Sequence, residues 1–353
     1  MKEKLKPLLF TIFVVVCSMM RSGSAEIGNS RVVCGKGVAL DIDGVLYRSG
    51  TVFPRTAEAM RLLEASKIPF VFVTNGGGLT EVEKSIELTH QLGITVRPEQ
   101  IIMAHTPFQQ IAADHKGHRV LIIGHEGCLD VARSYGFSKV ASVRDIHEEC
   151  PSIYPHTKPA NLPSSADVGE PIEAILLFHD CLDWGLEMQV MWDVIVGRQQ
   201  NNREILIPEI FKQRIPVFAC NADIVSPTMH PFPRFTQGAF VRAFQSLFET
   251  YSNGEKLIVN TCGKPFKVQY DFAMDLLIAE ANLLGVGSIT QFYGVGDNPK
   301  SDIRGANNAG ENWTSVLVRT GVFTGINNDE MDPADAVVYD VLDAVKYIIA
   351  DTK

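Results

Sequence analysis

Two carboxylates directly after a short apolar run constrain this chain more than any other feature. The run Val38-Ala-Leu40 leads into Asp41-Ile-Asp43 and a glycine. An unbroken apolar run of this kind predicts a strand buried on both faces, as in a parallel sheet. Two later apolar runs stop in the same way at polar residues, the first at Thr74 and the second at Asp297.

Helical patterns lie between these strands. Apolar residues recur at helical spacing over 56–66, 80–92 and 268–284, and Thr80 with Glu83 has the sequence of a capping box. Strands that alternate with helices predict an α/β fold, a doubly wound parallel sheet of the Rossmann-like type.

A long middle section carries strand and helix patterns of its own. These patterns predict strands at 120–124, 174–178 and 216–220 and a helix at 184–198. A stretch rich in proline and serine, 150–171, predicts a surface loop. We therefore predict a second α/β module at 116–256, inserted into a core that is formed by 30–115 and 257–353.

The first 29 residues differ from the rest of the chain. Three lysines precede an apolar stretch over 8–20, and the small residues Ser22 to Ala25 follow. The stretch is shorter than the roughly 20 residues that span a bilayer, and this order of residues is typical of a secretory signal peptide. A membrane anchor and an organelle presequence stay open as alternatives, and no stable membrane span is expected after processing.

Composition excludes several classes of protein. Hydrophobic residues make up 46% of the chain, enough for a large core, and the net charge of −9 argues against a nucleic-acid partner. The seven cysteines include no Cys-x-x-Cys pair, which argues against a zinc knuckle and favours buried free thiols. No Gly-x-x-x-x-Gly-Lys-Ser/Thr stretch occurs, which excludes a P-loop ATPase.

The polar residues at the predicted strand ends form a chemically restricted set. The carboxyl ends of the strands in an open α/β sheet line one crevice, where Asp41, Asp43 and Asp297 would meet. Three carboxylates in a small pocket repel one another unless a cation neutralises them, and oxygen ligands suit Mg²⁺. The sequence therefore predicts a Mg²⁺ site with positions left open for a substrate phosphate.

The same crevice has candidate groups for phosphoryl chemistry. Lys264 and the Thr74 hydroxyl would contact phosphoryl oxygens, and backbone N–H groups of 76–78 would form an anion nest. Asp41 would attack phosphorus and form an aspartyl-phosphate. Asp43 would protonate the leaving alcohol and then activate water. Each residue alone has an ordinary interpretation as a turn, cap or surface residue, but the set in this order favours catalysis.

The chain resembles the haloacid dehalogenase superfamily from about residue 38 to about residue 325. The resemblance rests on four motifs: Asp41-Ile-Asp43-Gly-Val-Leu46, Thr74-Asn75, Gly263-Lys264-Pro265 and Gly296-Asp297-Asn-Pro-Lys-Ser-Asp302. The third motif and the insertion before it resemble class IIA, whose members act on pyridoxal phosphate, phosphoglycolate and sugar phosphates. Three further segments resemble the branch that contains cat eye syndrome critical region protein 5: Ala104-His105-Thr-Pro-Phe108, Asp183-Trp184 and Gln237-Gly-Ala-Phe240.

The resemblance implies a role for each motif residue. Asp41 would be the nucleophile and a Mg²⁺ ligand, and Asp43 the general acid/base and a ligand through its backbone carbonyl. Asp297 would be a further Mg²⁺ ligand, and Asp302 would support the site from behind the metal. The resemblance also implies a mitochondrial location, against the secretory pattern of the N-terminus.

Substrate contacts are predicted on both sides of the crevice. In the core, Asn75 and Gly76 would contact the phosphate. Many class IIA phosphatases follow Thr-Asn with an Asn and a Ser that touch substrate, whereas this chain has three glycines there, which puts the usual substrates in doubt. In the inserted module, Asn221-Ala-Asp223 resembles the class IIA segment that faces the active site, so Asn221 and Asp223 would bind substrate. His230 would meet the leaving group, although it also fits an ordinary polar loop.

The sequence as a whole predicts a Mg²⁺-dependent phosphohydrolase that cleaves a small phosphorylated metabolite. The inserted module would roof the crevice and exclude macromolecules. Two alternatives stay open: phosphoryl transfer to a second substrate, as in a phosphomutase, and a binding or scaffold protein with little turnover. An intact set of catalytic residues disfavours the scaffold. A homo-oligomer also stays open.

Overall fold

A computed structural model describes residues 35–157, 170–197, 211–226, 228–230 and 232–352. The predicted targeting segment 1–29 lies outside these residues, as does most of the predicted loop over 150–171. The strands, numbered along the chain, are β1 (Gly35–Leu40), β2 (Tyr47–Arg48), β3 (Thr51–Val52), β4 (Phe70–Val73), β5 (Ile101–Ile102), β6 (Arg119–Ile123), β7 (Lys139–Ser142), β8 (Ile172–Leu177), β9 (Val217–Ala219), β10 (Val225–Ser226), β11 (Arg234–Phe235), β12 (Val259–Thr261), β13 (Ile289–Gly296), β14 (Trp313–Val318) and β15 (Ala336–Val338). The helices are α1 (Thr56–Ala65), α2 (Glu81–Leu92), α3 (Phe108–Ala112), α4 (Gly127–Tyr135), α5 (Val143–Glu149), α6 (Trp184–Val196), α7 (Gln237–Tyr251), α8 (Lys267–Leu284), α9 (Arg304–Ala309) and α10 (Val341–Ala350).

The first sheet is parallel and has the order β15-β14-β13-β1-β4-β5. Side chains of a strand alternate between its two faces, and β1 is buried on both. Val38 and Leu40 pack with α1 and α10 on one face, whereas Ala39 packs with α8 on the other. The predicted doubly wound core is therefore confirmed.

The second sheet is also parallel and has the order β12-β9-β8-β6-β7. Its strand β6 repeats the two-faced burial, with Leu121 and Ile123 packed against α6 and α7 and with Val120 and Ile122 packed against α4. The middle section is thus a second three-layer α/β module, as the sequence predicts.

Strand β12 pairs with β9 of the second sheet. The strand lies just past residue 256, where the sequence placed the return to the core. On the other side, α3 precedes residue 116 but packs on the second sheet through Phe108 and Ala112. We therefore propose that the second module extends a few residues beyond both predicted boundaries.

Local signals set several element ends. Thr80 caps α2 in a capping box with Glu83, as predicted, and Gly93 ends this helix in a left-handed conformation. Cys128, Cys220 and Cys262 are buried free thiols. No helix in the described part of the chain is long and apolar enough to cross a bilayer.

Candidate active site

The predicted catalytic residues follow three neighbouring strands of the core sheet. Asp41 comes directly after β1, Thr74 after β4 and Asp297 after β13, and these strands lie side by side in the sheet. Strand β4 pairs with one side of β1, and β13 pairs with the other side. Where the strand order of an α/β sheet reverses in this way, a crevice opens at the carboxyl ends of the strands. All three residues line a single cavity of about 230 Å³.

Lys264 lies at the centre of the buried charges. Its Nζ forms ion pairs with Asp41 and, at 2.7 Å, with Asp302, and it donates a third bond to the carbonyl of Val73 at 3.0 Å. Lys264 and both aspartates are almost completely buried. The remaining oxygen of Asp302 accepts the backbone N–H groups of Asp297 and Asn298, at 3.2 and 3.0 Å. The hydrogen bonds of Asp302 are therefore already committed, as a supporting residue requires.

The site holds more negative than positive charge. Burial raises the pKa of Asp41 well above its usual range, and the neighbouring Asp302 and Asp297 add to the rise while Lys264 opposes it. Burial and Asp302 raise the pKa of Asp297 to about 7. Burial opposes the charge of Lys264, but Asp302 and Asp41 outweigh it and hold the pKa of the amine above its ordinary value.

This donor set fits a hard divalent cation. Ligand atoms of Asp41, Asp297 and Asp302 lie within 4.8 Å of one another, and all three residues are buried. The carboxyl groups of Asp41 and Asp297 lie within hydrogen-bonding reach of each other, an arrangement that two ionised groups tolerate only with a proton or a cation between them. Asp302 uses one oxygen for Lys264 and the other for two backbone N–H groups, whereas Lys264 takes one oxygen of Asp41. Asp41 and Asp297 are therefore the carboxylates with an oxygen left for a divalent cation.

Two glycines leave the space that the Asp297 carboxylate occupies. A Cβ on Gly44 or on Gly321 would overlap the Asp297 carboxylate, and Gly44 also has the left-handed φ of +89° that favours glycine. The backbone N–H of Val322 donates to Asp297 Oδ2. Sequence reasoning missed Gly321 and Val322, although both follow β14, the next strand to end at this edge.

Asp43 and Thr74 face the same cavity. The Asp43 side chain reaches solvent, but the protein packed around it still raises its pKa, and Lys84 opposes that rise. The Thr74 hydroxyl accepts the N–H of Gly76 at 2.8 Å. The hydroxyl proton of Thr74 is thereby free to be donated to a phosphoryl oxygen, whereas the N–H of Gly76 is already used.

Asn75 joins the core to the second module instead of facing the phosphate with a free amide. Its Nδ2 donates to Asp223 Oδ2 at 2.9 Å and to the Lys264 carbonyl at 3.0 Å. Its Oδ1 accepts the N–H of Lys264 at 2.8 Å, and Asn221 Nδ2 reaches its carbonyl at 3.3 Å. Both ends of the amide are therefore occupied, so we assign Asn75, Gly76 and Asn221 to holding the shape of the site.

A buried hydrogen-bond chain supports the glycine turn. The N–H of Gly78 donates to His105 Nε2 at 3.2 Å, and His105 Nδ1 lies 2.8 Å from the Tyr135 hydroxyl. Tyr135 donates to Glu81 at 2.6 Å. Burial lowers the pKa of His105 to about 3, so the ring is neutral, accepts from Gly78 and donates to Tyr135. Gly77 N–H has no partner in the described residues and is the nest donor that stays available.

The second module forms the roof of the cavity. His179, Asp180 and Asp223 follow its strands β8 and β9 and line the cavity opposite the core carboxylates. The sequence predicts structural roles for His179 and Asp180. They line the cavity because the carboxyl ends of the strands of the second sheet face the core. Asp223 lines the cavity, and burial raises its pKa to about 6; its contact with a substrate stays a prediction.

His230 is not among the residues that line the cavity. Its exposed ring lies in the loop between β10 and β11, where Nδ1 accepts the N–H of Phe232 at 3.1 Å. The prediction that it contacts the leaving group is not supported, because the tight local turn keeps its ring on the loop. We leave His230 out of the proposed site.

Comparisons with known proteins agree with this geometry. Residues 38–138 match a family model for a haloacid dehalogenase-like hydrolase, and residues 261–344 match a second model of the same kind. A mitochondrial hydrolase of Saccharomyces cerevisiae is 34% identical over 334 residues, which cover 87% of this chain and 93% of the yeast protein.

A second relative is longer than this chain. A cardiolipin synthase (CMP-forming)/mitochondrial hydrolase fusion protein of Schizosaccharomyces pombe is 33% identical over 295 residues, which cover 81% of this chain but 48% of the fusion protein. Among solved structures, glycerol phosphate phosphatase of Mycobacterium tuberculosis in complex with magnesium has a TM-score of 0.58 at 18% identity, covering 87% of this chain and 75% of that chain. This likeness shows the fold.

Proposed function

This chain belongs to the haloacid dehalogenase-like hydrolases, and from that premise we propose that it is a Mg²⁺-dependent phosphatase of small phosphomonoesters. The observation that carries the proposal is the buried group of Asp41, Asp297 and Asp302 around Lys264 at the end of the core sheet. An acidic pocket with one fixed amine suits a phosphate that arrives with a divalent cation.

We assign the nucleophile to Asp41. One of its carboxylate oxygens attacks phosphorus, the bond from phosphorus to the leaving oxygen breaks, and an aspartyl-phosphate forms. Lys264 and the hydroxyl of Thr74 hold the transferring oxygens, together with the free N–H of Gly77. Mg²⁺ held by Asp41, Asp297 and the Asp43 carbonyl would offset the charge that develops on those oxygens.

Asp43 is placed to move the protons. It is two residues after the nucleophile, its side chain opens into the cavity, and its pKa is raised, which suits a carboxyl group that must give a proton to the leaving alcohol. The same carboxylate then takes a proton from the water that attacks phosphorus and releases Asp41. The roof limits the substrate to a small molecule.

The test is phosphate release from a panel of phosphomonoesters by the full chain. We expect turnover that requires Mg²⁺, stops with chelator, and falls at least a thousandfold in Asp41→Asn. Asp275→Asn is the matched control, since Asp275 is on α8 away from the cavity. Turnover that survives in Asp41→Asn would refute the assignment, and transfer of phosphate to an added alcohol instead of water would favour the mutase alternative.

The relatives shape the panel and the choice of compartment. The fission-yeast fusion protein is named as forming CMP, and CMP is itself a phosphomonoester, so nucleoside monophosphates belong in the panel. Two relatives are named as mitochondrial hydrolases, and we propose a mitochondrial location for this chain. Import of the full chain into isolated mitochondria tests that location against the secretory alternative.

A further inference from the structure

The charges on the roof of the cavity constrain the leaving group, and this inference rests on the proposed phosphatase function. Six aspartates line the cavity, and Lys264 is the only lysine or arginine among its described lining residues. Four of the aspartates belong to the floor, where Lys264 and a divalent cation offset their charge. The other two, Asp180 and Asp223, belong to the roof, whose described lining residues include no lysine or arginine; Lys264 of the floor acts on Asp223 but is already paired with Asp41 and Asp302.

Each roof aspartate accepts a hydrogen bond from the protein with one carboxylate oxygen and has its other oxygen free for a ligand. Asp180 Oδ1 accepts the backbone N–H of Gln237 at 2.7 Å, and Asp223 Oδ2 accepts from Asn75 at 2.9 Å. Neither second oxygen has a hydrogen bond to a described residue. Burial is the largest cause of the raised pKa of Asp223; Asn75 and Lys264 oppose the rise, and Asp302 and Asp180 add to it.

His179 adds an independent observation. It lines the same cavity next to Asp180, and its Nδ1 is buried without a hydrogen-bond partner among the described residues. A buried ring nitrogen without a partner is unfavourable unless water or a ligand satisfies it. The roof thus combines two fixed acceptors and an unsatisfied imidazole, and it lacks any fixed cation.

We propose that the roof selects phosphomonoesters whose leaving alcohol carries an ammonium group, as in amino-alcohol phosphates. An ammonium is held by the two free carboxylate oxygens and can donate a hydrogen bond to each of them. A carboxylate or a second phosphate on the leaving group meets two negative charges and no cation. The same roof gives a neutral alcohol hydrogen bonds without the charge attraction.

Three nearly isosteric esters test the proposal: 2-aminoethyl, 2-hydroxyethyl and carboxymethyl phosphate. They share the phosphate and the first carbon and differ in the charge at the far end. We expect kcat/KM for the amine to exceed that for the hydroxyl by about tenfold, and the carboxylate to be the poorest substrate, since one charge interaction near a protein surface reaches this size. Calorimetric binding of the three esters to Asp41→Asn should give the same order without turnover.

Asp180→Asn is the decisive variant because an amide oxygen still accepts the N–H of Gln237. We expect the ratio of amine to hydroxyl to fall about tenfold in it. Asp183→Asn is the matched control: it removes the same charge three residues away, Asp183 is exposed and outside the cavity lining, and asparagine also caps α6. The ratio should not change in this control.

The outcomes separate this inference from the proposed function. An amine-to-hydroxyl ratio of one or less, or a ratio that Asp180→Asn leaves unaltered, overturns the inference. If p-nitrophenyl phosphate is still hydrolysed with Mg²⁺ and Asp41, the phosphatase function stands while the inference fails. If no ester is hydrolysed and none binds to Asp41→Asn, both are overturned.

Discussion

His105 and Tyr135 support the active site from positions that a substrate does not reach. In this hydrogen-bond chain, Gly78 donates to His105, His105 donates to Tyr135, and Tyr135 donates to Glu81. Such a chain fixes the tautomer of the imidazole, because Nε2 must accept and Nδ1 must donate. It therefore fixes the glycine turn that follows Thr74 and carries the free N–H of Gly77.

Tyr135→Phe should loosen this turn. The substitution leaves the buried Nδ1–H of His105 without an acceptor, while Glu81 keeps its bond from Thr106, so we expect a loss of about 1–3 kcal/mol in the free energy of unfolding and a fall in kcat/KM of about tenfold. Tyr293→Phe is the control, since Tyr293 donates to Asp351 at 2.9 Å on the far side of the core. Equal kcat/KM values in the two variants would show that the chain does not position the turn.

His105 also makes stability depend on pH. Its pKa is lowered from an ordinary 6.5 to about 3 in the folded protein, so its contribution to stability is present above pH 6.5 and is lost as pH falls toward 3. The unfolding free energy of the wild type should therefore decrease relative to His105→Gln by about 1.4 kcal/mol per pH unit below 6.5. Chemical denaturation at pH 7 and pH 5 measures this, and a constant difference would contradict it.

At the scale of elements, the glycine turn at 76–78 is where the core contacts the roof of the cavity. A Cβ on Gly77 would overlap the carbonyl of Phe178, and a Cβ on Gly78 would overlap the ring of His125. Both contacts join the core turn to strand ends of the second module. Gly77 and Gly78, two of the three glycines that depart from the class IIA pattern, therefore have a physical reason in the close approach of the two modules.

Gly78→Ala should lift the roof from the core. We expect a rise in KM of about tenfold and a loss of stability larger than in Gly93→Ala. Gly93 is the matched control because its φ of +68° is close to the +84° of Gly78, whereas a Cβ on Gly93 meets nothing within 4 Å. Adding His125→Ala to Gly78→Ala removes the nearer contact, leaving His179 Cδ2 at 2.9 Å from the added Cβ, and should restore part of the KM. The absence of any rescue would show that this turn does not hold the roof on the core.

The elements show where sequence reasoning succeeds and where it fails. Strands such as β1 and β13 were predictable because buried parallel strands are continuous apolar runs that end at a polar residue. Strand β12 was not, because its side chains are partly exposed and give no such run. For His230, whose contact with a leaving group stays a prediction, the sequence has no such signal, because a loop residue has no periodicity that tells which way its ring faces.

At the scale of the whole molecule, two parallel sheets turn their carboxyl ends toward one cavity. The core sheet carries the carboxylates of the floor, whereas Lys264 follows β12 of the second sheet, which also carries the acceptors of the roof. Asp41, Thr74 and Asp297 were predictable because each follows a strand of the core sheet. The roof residues His179 and Asp180 were not recognised, since their function depends on how the second sheet faces the first.

Mg²⁺ should stabilise the folded protein as a whole. A ligand that binds only the folded state at a hundred times its dissociation constant adds about 2.7 kcal/mol to the unfolding free energy. We expect this gain in the wild type and its loss in Asp297→Asn, with thermal unfolding as the measurement. An equal gain in both proteins would place the ion elsewhere.

The central claim is that phosphate is carried on Asp41, and trapping the covalent intermediate tests it directly. The full chain is mixed with Mg²⁺ and substrate, quenched in acid and treated with borohydride, which reduces an acyl phosphate to an alcohol. Peptide mass spectrometry should then find homoserine at position 41, only when substrate was present and more of it in Asp43→Asn, where hydrolysis of the intermediate is slowed. Unmodified Asp41 in a preparation that turns over substrate would contradict the account.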